Sequence, residues 1–116
     1  MGPCSRKICL LIFACWANAA ISESGAIAGR KLFLDPQKGN CAACHQAPSD
    51  PVIASRSKVG PALSEIKKQY PDRARLRAVI WALNDTLPDT IMPPYGKHRI
   101  LTDAEIDTVV DYLEGL

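Results

Sequence analysis

Two cysteines three positions apart, Cys41 and Cys44, followed at once by His45, constrain this chain of 116 residues more than any other feature. The spacing lets both sulfurs reach the two vinyl-derived carbons on one edge of a porphyrin. The adjacent imidazole can then turn beneath the ring as the proximal iron ligand. The pentapeptide therefore points to one covalently attached haem c, and to a fold built around it. Two other uses of C-x-x-C fit less well. A zinc knuckle needs two more thiol or imidazole ligands at similar spacing, and after His45 the chain offers no cysteine and one histidine, His98. A thioredoxin-like pair opens a helix after a strand, and no strand-rich run precedes Cys41.

The remaining cysteines, Cys4, Cys9 and Cys15, fall in a segment with the form of an export signal. Arg6 and Lys7 give a positive start, Ile8 to Trp16 form a short apolar stretch, and Ala17-Asn18-Ala19 has the small-x-small pattern of a signal peptidase site. The apolar stretch falls short of the roughly 20 residues that a membrane-spanning helix needs. The expectation is a cleaved signal peptide at 1–19 and a single periplasmic domain at 20–116 with no membrane span, whose only thiols are the two of the pentapeptide. Export suits the cofactor, since bacterial haem c is attached outside the cytoplasm. An alternative reads Ile12-Phe13-Ala14-Cys15 as a lipoprotein site with a lipidated Cys15, although Phe13 is a poor residue at that place.

Of the 14 Lys and Arg, Arg6 and Lys7 lie in the leader, so the rest match the 12 Asp and Glu in number. Two haem propionates would make the processed protein slightly negative, and nucleic-acid binding has no electrostatic support. A domain this small buries a modest core, and a central haem supplies apolar surface that side chains would otherwise have to provide.

Hydrophobic periodicity gives an all-α chain. Residues 23–34 read as a first helix, stopped by Asp35-Pro36, with Ile27, Leu32 and Phe33 apolar. Pro71 suits the first turn of a helix running to Leu83, with Leu76, Val79, Ile80 and Leu83 on one face. Thr102-Asp103-Ala104-Glu105 has the form of a capping box, and Ile106, Val109, Val110 and Leu113 follow at helical spacing. Residues 46–60 and 84–100 hold most of the prolines and are expected as loops wrapping the haem edges.

A low-spin electron-transfer haem needs a sixth ligand. Met92 is the one methionine after Met1, and Pro93 and Pro94 restrict the backbone on its C-terminal side. A neutral, soft sulfur favours Fe(II) over Fe(III) and raises the reduction potential relative to a second imidazole. Met92 is the favoured axial partner of His45. The alternatives are a core-filling Met92 and a His98 ligand, His98 lying in the polar run Lys97-His98-Arg99.

The order of an N-terminal helix, Cys41 to His45, Gly60-Pro61-Ala62-Leu63, a middle helix, a Met loop and a C-terminal helix resembles the class I cytochromes c. That resemblance implies that the Pro61 carbonyl accepts the second ring N–H of His45. It also implies that Gly29 and Phe33 meet Tyr112 or Leu113 where the terminal helices cross.

A narrower resemblance rests on Gly39 to Gln46, on Tyr70-Pro71-Asp72-Arg73-Ala74-Arg75-Leu76-Arg77 with Ile80-Trp81, and on the run from Met92-Pro93-Pro94-Tyr95-Gly96-Lys97-His98-Arg99 to Asp107. Together these look like the SoxX family, the small monohaem subunits of the SoxAX cytochromes of bacterial sulfur oxidation, across residues 25–116. The chain is at the short end for that family, and the expectation is that any N-terminal extension used by longer members to contact the partner is missing.

What the resemblance implies is a heterodimer with SoxA, a cytochrome whose active-site haem carries a cysteine-derived ligand. The pair would act as an L-cysteine S-thiosulfotransferase, joining thiosulfate oxidatively to a cysteine of the carrier SoxYZ. This chain would take up the electrons released and pass them to a soluble cytochrome c. Two other roles suit the haem motif: a free-standing monohaem electron carrier, and a haem enzyme or gas sensor with an open sixth position. Arg73, Arg75 and Arg77 read as a solvated helix face or as a docking patch, and Trp81 as a core residue or a porphyrin-edge contact.

Overall fold

In a computed structural model of the chain, residues 23–53 and 57–116 are described, so the expected leader at 1–19 lies outside them. These residues form four α-helices and no strand: α1 (23–34), α2 (Ile66–Gln69), α3 (Arg73–Ala82) and α4 (Asp103–Leu113). Short 3-10 turns occupy Cys41–Ala43 and Leu83–Asp85. No helix among the described residues is long and apolar enough to cross a membrane.

The expected capping box opens α4. The Glu105 N–H donates to Thr102 Oγ1 at 3.2 Å while the Thr102 N–H donates to Glu105 Oε2 at 2.9 Å, so two N–H groups left over at the helix start are satisfied reciprocally. The helix then buries Ile106, Val109, Val110, Tyr112 and Leu113. α1 lies across it so closely that a Cβ on Gly29 would stand 2.1 Å from the Thr108 carbonyl oxygen and 2.8 Å from Tyr112 Cβ. One turn further along α1, the buried Phe33 ring meets Tyr112 edge-on, with centroids 5.4 Å apart. Both contacts fall where the class I resemblance put them.

α3 begins two residues later than the position of Pro71 suggests. Asp72 stays in extended backbone and its carboxylate accepts the Ala74 N–H at 2.9 Å, so the aspartate is the cap and Pro71 precedes it. The helix ends at Ala82, one residue before the expected Leu83, which opens the 3-10 turn.

The arginines keep the partly solvated face that is one of the two expectations, but Arg73 and Arg77 also reach acidic partners on α4. Arg73 pairs with Asp111 at 2.7 Å and Glu114 at 2.8 Å, and Arg77 with Asp103 at 2.5 Å and Asp107 at 2.8 Å. The two side chains, one turn apart, clamp α3 along α4, while Arg75 is exposed on another side of the helix. Each pair is partly exposed and individually weak, so the clamp fixes register more than it adds stability.

Residues 46–53 also depart from the expectation, because they do not wrap the central cavity. They fold against α1 and α4, burying Ala47 and Ile53 completely. The nearly buried Asp50 carboxylate organises them: it accepts from Arg30 Nε at 2.5 Å and from the second Arg30 nitrogen at 2.9 Å. It accepts further from the Tyr112 hydroxyl and the Val52 N–H, both at 3.0 Å. The Arg30 hydrogen bond is the largest influence in drawing the Asp50 carboxyl down to about 2, whereas burial, and then its own bond to the Asp50 carboxylate, pushes the Tyr112 phenol up.

A carboxyl depressed from 3.8 contributes stability that is complete above pH 4 and disappears as pH falls towards 2. Asp50→Asn is expected to cost about 2 kcal/mol at pH 7. Denaturant melts of the two proteins should converge between pH 4 and 2. A gap that is the same at pH 7 and pH 2 would refute the assignment.

Candidate functional site

The turn that carries the pentapeptide is set from both ends. The chain leaves α1 through Asp35, whose carbonyl accepts the Lys38 and Asn40 N–H groups at 3.1 and 2.9 Å. Asn40 then takes a left-handed conformation (φ 49°), which an asparagine tolerates, and Cys41–Ala43 closes a 3-10 turn. In that geometry side chains at i and i+3 eclipse, so Cys41 and Cys44 project to the same side. The Cys44 and His45 N–H groups both donate to the Cys41 carbonyl, at 3.1 and 2.9 Å.

A second segment holds the imidazole. The Gly60 N–H donates to the Cys44 carbonyl and the Leu63 N–H to the Gln46 carbonyl, each at 2.7 Å, lashing residues 60–63 alongside the pentapeptide. His45 Nδ1 lies 2.7 Å from the Pro61 carbonyl oxygen, as the resemblance implied. Because a carbonyl only accepts, Nδ1 carries the proton and Nε2 keeps a free lone pair. Gly60 lies flat under the ring: a Cβ there would be 2.6 to 3.0 Å from three imidazole atoms.

Cys41, Cys44 and His45 line one cavity of about 340 Å³ between α3, α4 and the two loops. The four residues expected on one face of α3, Leu76, Val79, Ile80 and Leu83, all line it, so this face serves the cavity while Leu76 and Ile80 also belong to the side-chain core. Met92 enters from the opposite loop, half-buried, with its N–H on Thr90 Oγ1 at 3.2 Å. His98, the rival ligand, is exposed and does not line the cavity. Trp81 does not line it either. Its ring covers Gly96, where a Cβ would come within 2.0 Å, and the Arg77 guanidinium sits 5.6 Å from the ring centroid.

No aspartate, glutamate, lysine or arginine lines the cavity. Burial pushes the Cys41 thiol and the Tyr95 phenol each up to about 12, so both are neutral at physiological pH. Among the described residues no group of three or more His, Cys, Asp or Glu could hold a metal ion. What the cavity offers is an apolar slot lined by two thiols, an imidazole and a thioether. That donor set fits a haem.

The sequence pattern of the cytochrome c family matches residues 26–116. The chain belongs to the cytochrome c family. A search of curated proteins finds no match to it. As a cytochrome c of the all-α class I fold it carries haem c bound covalently, and its role is electron transfer. The haem, when bound, supplies a one-electron Fe(III)/Fe(II) couple. The residues around it set how that couple behaves: an uncharged lining disfavours the extra positive charge of the ferric state, and the Pro61 carbonyl fixes the tautomer of His45.

The sequence reading missed three features of this site. The four-residue α2, whose Ile66 lines the cavity, is too short to show a period. The Tyr95 hydroxyl donates to the Gly39 carbonyl at 2.7 Å, joining positions 56 residues apart, and no local pattern announces it. The rim of the cavity mouth is apolar and exposed: Val59 is 62% accessible, Leu87 53% and Ile91 79%. The rim carried a faint signal, since Ile91 precedes Met92 in a loop that leaves an isoleucine little to pack against.

Proposed function

We propose that residues 20–116, exported to the periplasm with loss of the leader 1–19, are the electron-accepting subunit of a SoxAX-type thiosulfate-oxidising cytochrome. Cys41 and Cys44 form the thioether bonds to haem c, and His45 and Met92 are the axial ligands. With both axial positions filled by the protein, no site remains for substrate at this iron, so bond formation belongs to the SoxA partner. There a SoxYZ cysteine thiol and thiosulfate join through a new S–S bond, releasing one proton and two electrons. This chain takes the electrons one at a time and passes them to a soluble cytochrome c.

The observation that carries this reading over that of a free-standing carrier is the apolar rim. Permanent subunit interfaces are more hydrophobic than the surfaces used for transient encounters, and Val59, Leu87 and Ile91 offer such a surface directly at the cavity mouth. The run Met92 to Asp107 supports the same family on sequence. The free thiols among the described residues are Cys41 and Cys44, both taken by the haem in this reading, which leaves none for sulfur chemistry.

Purification of the exported, haem-loaded protein from its native periplasm tests it. The expected result is a second cytochrome that stays bound at high salt, with reduction of the Met92 haem on addition of thiosulfate and carrier protein. Recovery as a lone low-spin cytochrome, indifferent to thiosulfate, would move the function to free-standing electron carriage.

A further inference from the structure

The loop that bears Met92 is anchored unequally on its two sides. Downstream, the Gly96 and Lys97 N–H groups donate to the Trp81 carbonyl at 3.1 and 3.2 Å, and the Ile100 and Leu101 N–H groups to the Tyr95 carbonyl at 2.9 and 3.1 Å. Leu101 and Tyr95 are both buried. Upstream, the bonds are local: Thr90 N–H to the Leu87 carbonyl at 3.1 Å and Met92 N–H to Thr90 Oγ1. Leu87 and Ile91 face solvent there. Met92 is thus held mainly from its C-terminal side, and the two residues joining it to Tyr95 are prolines, whose fixed φ passes the position of Tyr95 along the chain.

Tyr95 is tied in turn to the opposite wall. Its hydroxyl donates to the Gly39 carbonyl at 2.7 Å, and Gly39 lies two residues before Cys41 in the turn closed on Asp35. One buried hydrogen bond therefore connects the loop carrying the thioether to the turn carrying the thiols and the imidazole. We propose that Tyr95 is a positioning residue that holds Met92 at the iron by latching its loop to Gly39. This inference rests on the reading of Met92 as axial ligand. Without the latch the ring still packs, but the loop can swing on its weakly held upstream side and the thioether leaves the iron more often.

The test is the rate of carbon monoxide binding to the ferrous holoprotein, where entry requires the thioether to leave. Tyr95→Phe keeps the ring and its volume and removes only the hydroxyl. Tyr112→Phe serves as its comparison, because it too deletes a buried phenol hydrogen bond, to Asp50, but away from the cavity. Helical circular dichroism and covalent haem content verify that each variant folds. The expected result is binding accelerated on the order of five- to tenfold in Tyr95→Phe, the size of one buried hydrogen bond, with Tyr112→Phe like the parent. Equal rates in all three proteins overturn the proposal. So does equal acceleration in both variants, which marks a general loss of stability. Immediate binding by the parent protein instead shows that Met92 is not on the iron, so failure of the ligand reading is told apart from failure of the latch.

Discussion

Placing a single methyl group on Gly29 is expected to destabilise the folded protein by about 3 kcal/mol or more. The sign is what makes the experiment informative. In a helix interior, glycine to alanine normally stabilises by up to about 1 kcal/mol, because glycine loses more backbone freedom on folding. Here the new Cβ meets the Thr108 carbonyl oxygen at 2.1 Å and Tyr112 Cβ at 2.8 Å. The nearer obstacle is backbone, so no side-chain rotation relieves it, and α1 must lift away from α4. Lifting separates Phe33 from Tyr112 and loosens the layer of Ile106, Val109 and Val110 beneath. Ala28→Gly, one residue away and exposed, is the control and should cost about 1 kcal/mol from propensity alone. Guanidinium melts of the holoproteins give both values. A neutral or stabilised Gly29→Ala protein would mean that the two helices do not cross at this distance.

The second large effect belongs to Met92. Met92→Ala is expected to leave the fold and the covalent haem intact while opening the sixth position, so that the ferrous form binds carbon monoxide on mixing. The reduction potential should fall by on the order of 0.1 V or more, because a soft, neutral sulfur that favours Fe(II) is replaced by water. Little stability is at stake, since Met92 is only half-buried and its loop stays fastened through Gly96, Lys97 and Leu101. His98→Ala should leave both properties unchanged, as that side chain points to solvent. A variant at 92 that remains closed to carbon monoxide would show that another group holds the iron.

The features legible in the sequence are those whose physics is local. The pentapeptide fixes the cofactor because thiol spacing and an adjacent imidazole form one chemical unit. The capping box at Thr102 and Glu105 and the apolar period of α4 are recognisable because they act within one or two helical turns. The apolar face of α3 was equally visible, although periodicity alone does not say whether such a face meets side chains or a prosthetic group.

What escaped notice depends on partners distant in the chain. Asp50 reads as an ordinary loop aspartate between two prolines, and its importance comes from Arg30 and Tyr112, 20 and 62 residues away. The ion pairs of Arg73 and Arg77 stay hidden in the sequence because their acidic partners lie on another helix. Tyr95 reads as one more aromatic in a proline loop until Gly39 is brought beside it. Pro71 misled by a step, because Asp72 is the better cap and the helix waits for it. Class I topology added what local rules lack, anticipating the Gly29 crossing and the Pro61 contact with His45.

The proposed role depends on an iron held between His45 and Met92, and the absorption spectrum of the oxidised holoprotein tests that ligation most directly. A thioether on low-spin ferric haem gives a weak charge-transfer band in the far red that bis-imidazole and water-ligated haems lack. Met92 ligation, as proposed, predicts that band in the parent protein and in His98→Ala, and its loss in Met92→Ala. Its absence from the parent protein, or its indifference to Met92→Ala, would contradict the account.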